Sequence, residues 1–161
     1  MLLEDVIKHY KGDLIKGQKR ESWSIDGKYG FQKIKGNFIY DGSEFSIFTN
    51  ERQGVSSQKE AVYYSLSFKK NTKLKLIVSL KSSFYRFFKK RNKYHITGTD
   101  SLVKKLMLDN EFKVLIEKED CHIILENNIH SISLVSLLEI SNINQVENAI
   151  LILKKIEQKI I

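Results

Sequence analysis

Apolar residues alternate with polar ones along most of the chain ahead of Gly98, and recur at helical spacing near both ends and past the middle. Leu2, Leu3, Val6, Ile7 and Tyr10 predict a short amphipathic helix over 2–10, ended by Gly12 and Gly17, with the 1–17 segment either docked on the domain or frayed and loosely attached. A β-meander follows, with Asp26-Gly27 and Asp41-Gly42 as two-residue hairpin turns. Centring on Asp41-Gly42 pairs Tyr40 with Ser43, Phe38 with Phe45 and Gly36 with Ile47. One face then carries Ile34, Phe38, Tyr40, Phe45 and Ile47; the other carries Lys33, Lys35, Asn37 and Glu44, with Ile39 and Phe48 as exceptions. The polar stretch 50–60 reads as a loop.

The next alternation is read as a hairpin. A three-residue loop from Asn71 to Lys73 pairs Phe68 with Leu76, Leu66 with Val78 and Tyr64 with Leu80. It leaves Lys69, Lys75, Ile77 and Ser79 on the opposite, solvent-facing side. Residues 84–97 supply one or two more strands that end with Tyr94 and Ile96 pointing inward.

The period then changes. Thr99-Asp100-Ser101 is an N-cap cluster, and Leu102, Val103, Leu106, Met107, Phe112, Leu115 and Ile116 predict a helix over 101–118, with Asp109-Asn110 the point where it would break. A hairpin turning at Asn127-Asn128 would put Cys121, Ile123, Leu125, His130, Ile132 and Leu134 on one face. Residues 142–160 form the clearest helix. Asn142 caps it, Gln145 stands at the capping-box position, and Ile143, Val146, Ile150, Leu153, Ile156 and Ile160 form a stripe widened by Leu151 and Ile152. Strands first, then helix, hairpin and helix, predict a single α+β domain over 1–161 built on a largely antiparallel sheet of about seven to nine strands.

Composition changes this picture in two ways. The 161 residues are 42% apolar and 29% charged, which suits one ordinary folded domain. The net charge of +8 is concentrated: residues 61–99 hold ten Lys or Arg and no Asp or Glu. Isoleucine, lysine and asparagine all have A+T-rich codons, and codon bias alone raises the basicity, though it does not empty one segment of acids. The single cysteine, Cys121, excludes an intrachain disulfide and gives no sign of an oxidising compartment. No apolar run reaches the length of a membrane span, and Met1-Leu2-Leu3-Glu4-Asp5 is acidic where a signal peptide would be basic. A cytoplasmic protein, working at the cytoplasmic membrane face or free of it, is expected.

Candidate chemistry is sparse. Cys121 and His122 are strand neighbours and point to opposite faces, and His130 lies about 13 Å along the strand, too far to act as a base. His9, His95, His122 and His130 show no metal-ligand spacing, and no phosphate-binding glycine loop is present. Gly98 precedes a helix N-terminus, but Asp100 there would repel an anion. Glu117, Glu119 and Asp120 read as a solvated helix-to-strand turn. No catalysis, metal or cofactor is predicted. What remains is a basic and aromatic constellation over 83–94, with cations for phosphates and rings for bases or a lipid interface. Lys69, Lys75, Tyr85, Arg86, Lys89, Lys90, Arg91 and Lys93 are the candidate binding residues. Their expected partner is a polyanion, either an anionic membrane surface or nucleic acid, or an acidic protein. The competing expectation is that Glu117, Glu119 or Glu126 folds over these cations and neutralises them.

From about Gly30 to Leu134 the layout resembles an uncharacterised bacterial domain family. The resemblance rests on Phe45-Ser46-Ile47-Phe48, Tyr64-Ser65-Leu66-Ser67-Phe68, Phe87-x-Lys89 and Tyr94-x-Ile96-x-Gly98-x-Asp100, then Leu106, Phe112, Leu115 and the 123–132 hairpin. It departs from the family at Val103, where a small residue is usual. The resemblance implies an α+β domain near membrane-spanning segments and carries no site residues. The expected function is that of a non-catalytic soluble interaction domain. The alternatives are a nucleic-acid-binding module using 85–94 and an enzyme of unrecognised type.

Overall fold

Two periodicities become two layers: an antiparallel sheet and, on one of its faces, the helices. The computed structural model describes residues 3–24, 27–54, 64–69, 72–81, 93–125, 131–136 and 142–160. Among them are nine strands: β1 (Asp13–Lys16), β2 (Arg20–Ser24), β3 (Gly27–Tyr40), β4 (Ser43–Gly54), β5 (Tyr64–Lys69), β6 (Leu76–Leu80), β7 (Tyr94–Gly98), β8 (Cys121–Leu125) and β9 (Ser131–Ser136). The four described helices are α1 (Leu3–His9), α2 (Asp100–Leu108), α3 (Asn110–Glu117) and α4 (Ile143–Ile160). The sheet order is β1-β3-β4-β5-β9-β8-β6-β7, with β2 also on β3, and the fold is α+β.

The Asp41-Gly42 hairpin forms in the register that its alternation implies, with Tyr40 opposite Ser43 and Phe38 opposite Phe45. Both turn residues have positive φ (46° and 71°), the twist a two-residue hairpin needs. Ile34, Phe38, Phe45 and Ile47 are buried, and Lys33, Lys35 and Ile39 lie on the other face, exposed. The pairing does not stop at Thr49. Residues 50–54, expected in a loop, continue β4, with Asn50 opposite Lys33 and Gly54 opposite Tyr29. The long β3 supplies ladder hydrogen bonds whatever the side-chain hydropathy. Gly27, expected in a turn, pairs with Ser24; Asp26 lies outside the described residues.

The predicted β5–β6 hairpin does not form. β5 pairs with β4 and β9, while β6 pairs with β7 and β8, so the β8–β9 hairpin is inserted between them. Alternation reports which face a residue occupies, not which strand lies beside it. The face assignments on β6 hold: Leu76 and Val78 are fully buried, and Lys75 and Ile77 are exposed. The β8–β9 register is displaced by two residues from the predicted one, with Ile123 opposite Leu134 rather than Ile132. A shift of two preserves the faces, so Cys121, Ile123, Leu125, Ile132 and Leu134 remain fully buried. Asn127, Asn128 and His130 lie outside the described residues.

The helices cover the apolar face. Leu3, Val6 and Ile7 of α1 are buried over β3. The α1 chain reverses through Lys11, at φ 53°, with its amide bonded to Lys8 O and the Gly12 amide bonded to Ile7 O. This is a Schellman-type end in which lysine, not the expected glycine, takes the left-handed position. The predicted 101–118 helix is two helices. Asp109 breaks it and caps α3, its carboxylate accepting from the Phe112 amide at 3.0 Å. In α4 the Asn142 side chain accepts from the Gln145 amide at 3.1 Å. Val146, Ala149, Ile150, Ile152, Leu153 and Ile156 of α4 are buried, whereas Leu151, expected in the stripe, faces outward. Its last turns are bonded to the rest of the fold by Lys159 to Asp109 (2.8 Å), Lys155 to Glu111, and Lys154 to Ser43 Oγ (2.9 Å).

Candidate functional site

The face of the sheet opposite the helices is read from the strand registers. One ladder row runs Asn37, Ser46, Ser67, Ser133, Ile124, Ile77, Thr97 across seven strands. The neighbouring row runs Lys35, Phe48, Ser65, Val135, His122. Ser46, Ser67 and Ser133 make a small polar strip across β4, β5 and β9, continued by Ile124 and Ile77 on β8 and β6. Ile39 (72% exposed), Ile77 (43%) and Val135 (39%) stand on this face as exposed aliphatic groups.

Two candidate binding residues belong to this face. Lys69 is exposed at the end of β5 opposite Ser131, and Lys75 is exposed one residue ahead of β6. Lys69 ends β5 and Lys75 precedes β6, the two strands that flank the β8–β9 hairpin. Lys33 and Lys35 add two exposed cations further along the face. Among the described residues this face carries the carboxylates of Glu44, which the Phe45–Phe68 register extended by one residue places opposite Lys69, and of Asp13, opposite Asn37. Tyr85, Arg86, Lys89, Lys90 and Arg91 lie outside the described residues, as does Glu126.

Lys93 has a different setting. Its ammonium lies 2.6 Å from Asp120 Oδ1 and donates to the carbonyls of Glu119 (2.7 Å) and Glu117 (3.1 Å). The turn after α3 thus encloses it. This turn is not simply solvated, because Glu119 is only 4% exposed. Asn148 of α4 donates to Glu119 Oε1 at 2.7 Å and to Leu115 O at 3.2 Å, while Oε2 is buried without a hydrogen-bond partner. Burial raises the Glu119 carboxyl pKa, against the lowering effects of Asn148 and Lys93. Sequence did hold a signal for this. Extending the inward parity of Cys121 back by two residues reaches Glu119.

Tyr94 completes the network. Its hydroxyl donates to Glu119 O, accepts from the Cys121 amide at 3.3 Å, and lies 3.8 Å from Cys121 Sγ. Burial pushes the Cys121 thiol up to about 12 and raises the tyrosine hydroxyl as well. A thiol held protonated is a poor nucleophile, so these groups serve each other as internal hydrogen-bond partners.

Beside this network, between β7 and the α2–α3 pair, lies a groove of about 370 Å³. Tyr94, Ile96, Val103, Met107, Phe112 and Ile116 line it together with Lys81, Lys113 and Glu117. Gly98 ends β7 at φ 148°, and a Cβ there would overlap Lys75 O; Thr99 then donates to that oxygen and accepts from the Lys75 amide at 3.0 Å. These bonds fix where α2 starts and hence one wall of the groove. Among the described residues, no group of three His, Cys, Asp or Glu converges to hold a metal, and no helix is long and apolar enough to cross a membrane.

No family model, curated protein or solved structure matches the chain.

Proposed function

We propose that this chain is a non-catalytic interaction domain that binds an anionic membrane surface, from the cytoplasmic side, through the helix-free face of its sheet. The observation that carries the reading is the exposure of Lys33, Lys35, Lys69 and Lys75 on the same face as Ile39, Ile77 and Val135. Lysines supply attraction to anionic headgroups, and aliphatic side chains between them enter the interface. The 30–134 spacing resemblance, whose family carries membrane-spanning neighbours, points the same way. Each lysine near such a surface contributes about 1 kcal/mol, so four contribute about 4 kcal/mol, roughly a thousand-fold in affinity. Glu44 and Asp13 on that face reduce this.

Nucleic acid is the second reading, favoured by the acid-free charge of residues 61–99. It calls for stacking rings as well as cations. Co-sedimentation with phosphatidylglycerol vesicles, phosphatidylcholine vesicles and single-stranded RNA decides between the two. Binding to the first alone, declining steeply with salt, is the expected result. Binding to RNA without binding to anionic vesicles would replace the first reading by the second.

A further inference from the structure

We infer that the outer edge of β7 is a docking strand for an extended segment of another protein, added antiparallel with an apolar residue at every second position. β7 ends the sheet order, and among the described residues its one strand partner is β6. The ladder fixes which backbone groups face outward. The amides of Lys81 and Thr99 donate to the carbonyls of Lys93 and Lys75, which the register places directly opposite them, so residues 93, 95, 97 and 99 turn their backbone groups toward β6. Tyr94, Ile96 and Gly98 turn theirs away from the sheet, and among the described residues no hydrogen bond is made to those groups. Sheet edges ordinarily carry charged residues or proline that discourage further pairing. The opposite edge does: β1 has Asp13 and Lys16, and β2 has Arg20 and Glu21. β7 reads Tyr-His-Ile-Thr-Gly and has neither.

An added strand puts the residues opposite Tyr94, Ile96 and Gly98 on the side of the sheet where the groove lies. Tyr94 and Ile96 line that groove with Val103 and Met107 of α2, so apolar side chains enter there. The residues between them share the face of His95 and Thr97, both exposed, and are polar. A second copy of this chain is a poor occupant on two counts. Each copy carries +8, and β7 lies in the acid-free stretch 61–99, so two such edges repel. A five-residue strand is about 17 Å long, and one added strand covers far less than the ~800 Å² per partner of a stable dimer. A peptide segment suits the edge, because main-chain hydrogen bonds supply its affinity without a large interface. This docking does not rest on the membrane reading, since the edge's backbone groups lie in the plane of the sheet.

The probe is the peptide acetyl-Glu-Val-Thr-Val-Thr-Val-Glu-amide, titrated into the isotope-labelled protein. Saturable shifts of the Ile96 and Gly98 amide resonances, with slower hydrogen exchange at both, are the expected result. Methylating the valine nitrogens removes the donors opposite Tyr94, Ile96 and Gly98 and should weaken binding at least about tenfold. Methylating the threonine nitrogens, which point away from β7, should leave it within about twofold. Ile96→Pro deletes one outward amide, leaves the β6 bonds of His95 and Thr97 in place, and should abolish the exchange protection at Gly98. Unmoved Ile96 and Gly98 amides at millimolar peptide overturn the docking strand, and this needs no variant to fold. Equal binding of the two methylated peptides overturns the antiparallel backbone addition. Protection of Ile96 that grows with protein concentration in the absence of peptide gives the edge to a second copy and overturns the partner.

Discussion

The docking of α1 on β3 depends on one pair of residues small enough to test as a cycle. Ile7 is 2% exposed, and its Cδ1 and Cγ1 occupy the space where a Cβ on Gly36 would be. Ile7→Ala removes three buried carbons, about 2.4 kcal/mol at ~0.8 kcal/mol each, before the cavity adds to it. The total should lie in the ~2–5 kcal/mol range of such truncations. Gly36→Ala alone forces its methyl into Ile7 and should cost about 1–3 kcal/mol. In the Ile7→Ala background that space is vacant, and the next neighbour of the new methyl is Ile47 Cγ2 at 3.4 Å. The alanine then fills part of the hole, and the entropic gain of replacing a strand glycine, ~0.5–1 kcal/mol, is recovered. The double variant should therefore be more stable than the two single costs imply, by about 1–3 kcal/mol. Urea unfolding of the four proteins, with equal slopes, measures the coupling. Additivity within about 0.5 kcal/mol, or an Ile7→Ala cost under about 1 kcal/mol, would refute the docking of α1 described above.

Other outcomes follow from the ionisable groups. Cys121 should resist thiol reagents in the native state at neutral pH and react on unfolding. Its folded pKa of about 12 exceeds the ordinary cysteine value, so its contribution to stability is complete below that value and lost as pH rises toward 12; Cys121→Ala should flatten this alkaline loss in unfolding curves. The Lys159 ammonium and the Phe112 amide hold the Asp109 pKa below its ordinary value. Its stabilisation is therefore present above the ordinary aspartate pKa and lost as pH falls through the lower folded value, a loss that Asp109→Asn should lack. Asp109→Ala should cost about 1–2 kcal/mol at neutral pH through the lost cap, read by denaturant midpoint. Lys93→Met, which strips donors from two carbonyls and leaves Asp120 without its cation, should cost about 2 kcal/mol. Lys69→Gln and Lys75→Gln should each stay within ~0.5 kcal/mol of the parent.

Much of the fold was legible because a two-residue period and a 3.6-residue period are local properties. The Asp41-Gly42 turn and its flanking alternation specify that hairpin together. Partner choice is not local. Tyr64–Lys69 and Leu76–Leu80 are consecutive strands with compatible alternation, yet β8 and β9, from later in the chain, come between them. A register shift of two in β8–β9 was equally hidden, since it leaves every side chain on its predicted face. At the candidate sites, the exposure of Lys69 and Lys75 follows from parity alone. The enclosure of Lys93 does not, because Asp120 and the carbonyls of Glu117 and Glu119 come from a turn more than twenty residues away. The groove depends on how α2 and α3 pack over β7, which the helical period does not report.

The central proposal is that the helix-free face of the sheet binds an anionic membrane surface. Amide resonances of the protein on phosphatidylglycerol nanodiscs carrying a spin-labelled lipid measure this directly. Broadening confined to the face of Lys35, Ser67, Lys69, Lys75, Ile77 and Val135, and abolished in the Lys69→Glu, Lys75→Glu variant, is the predicted result. Broadening centred on α2, α3 or α4, or none at all, would contradict it.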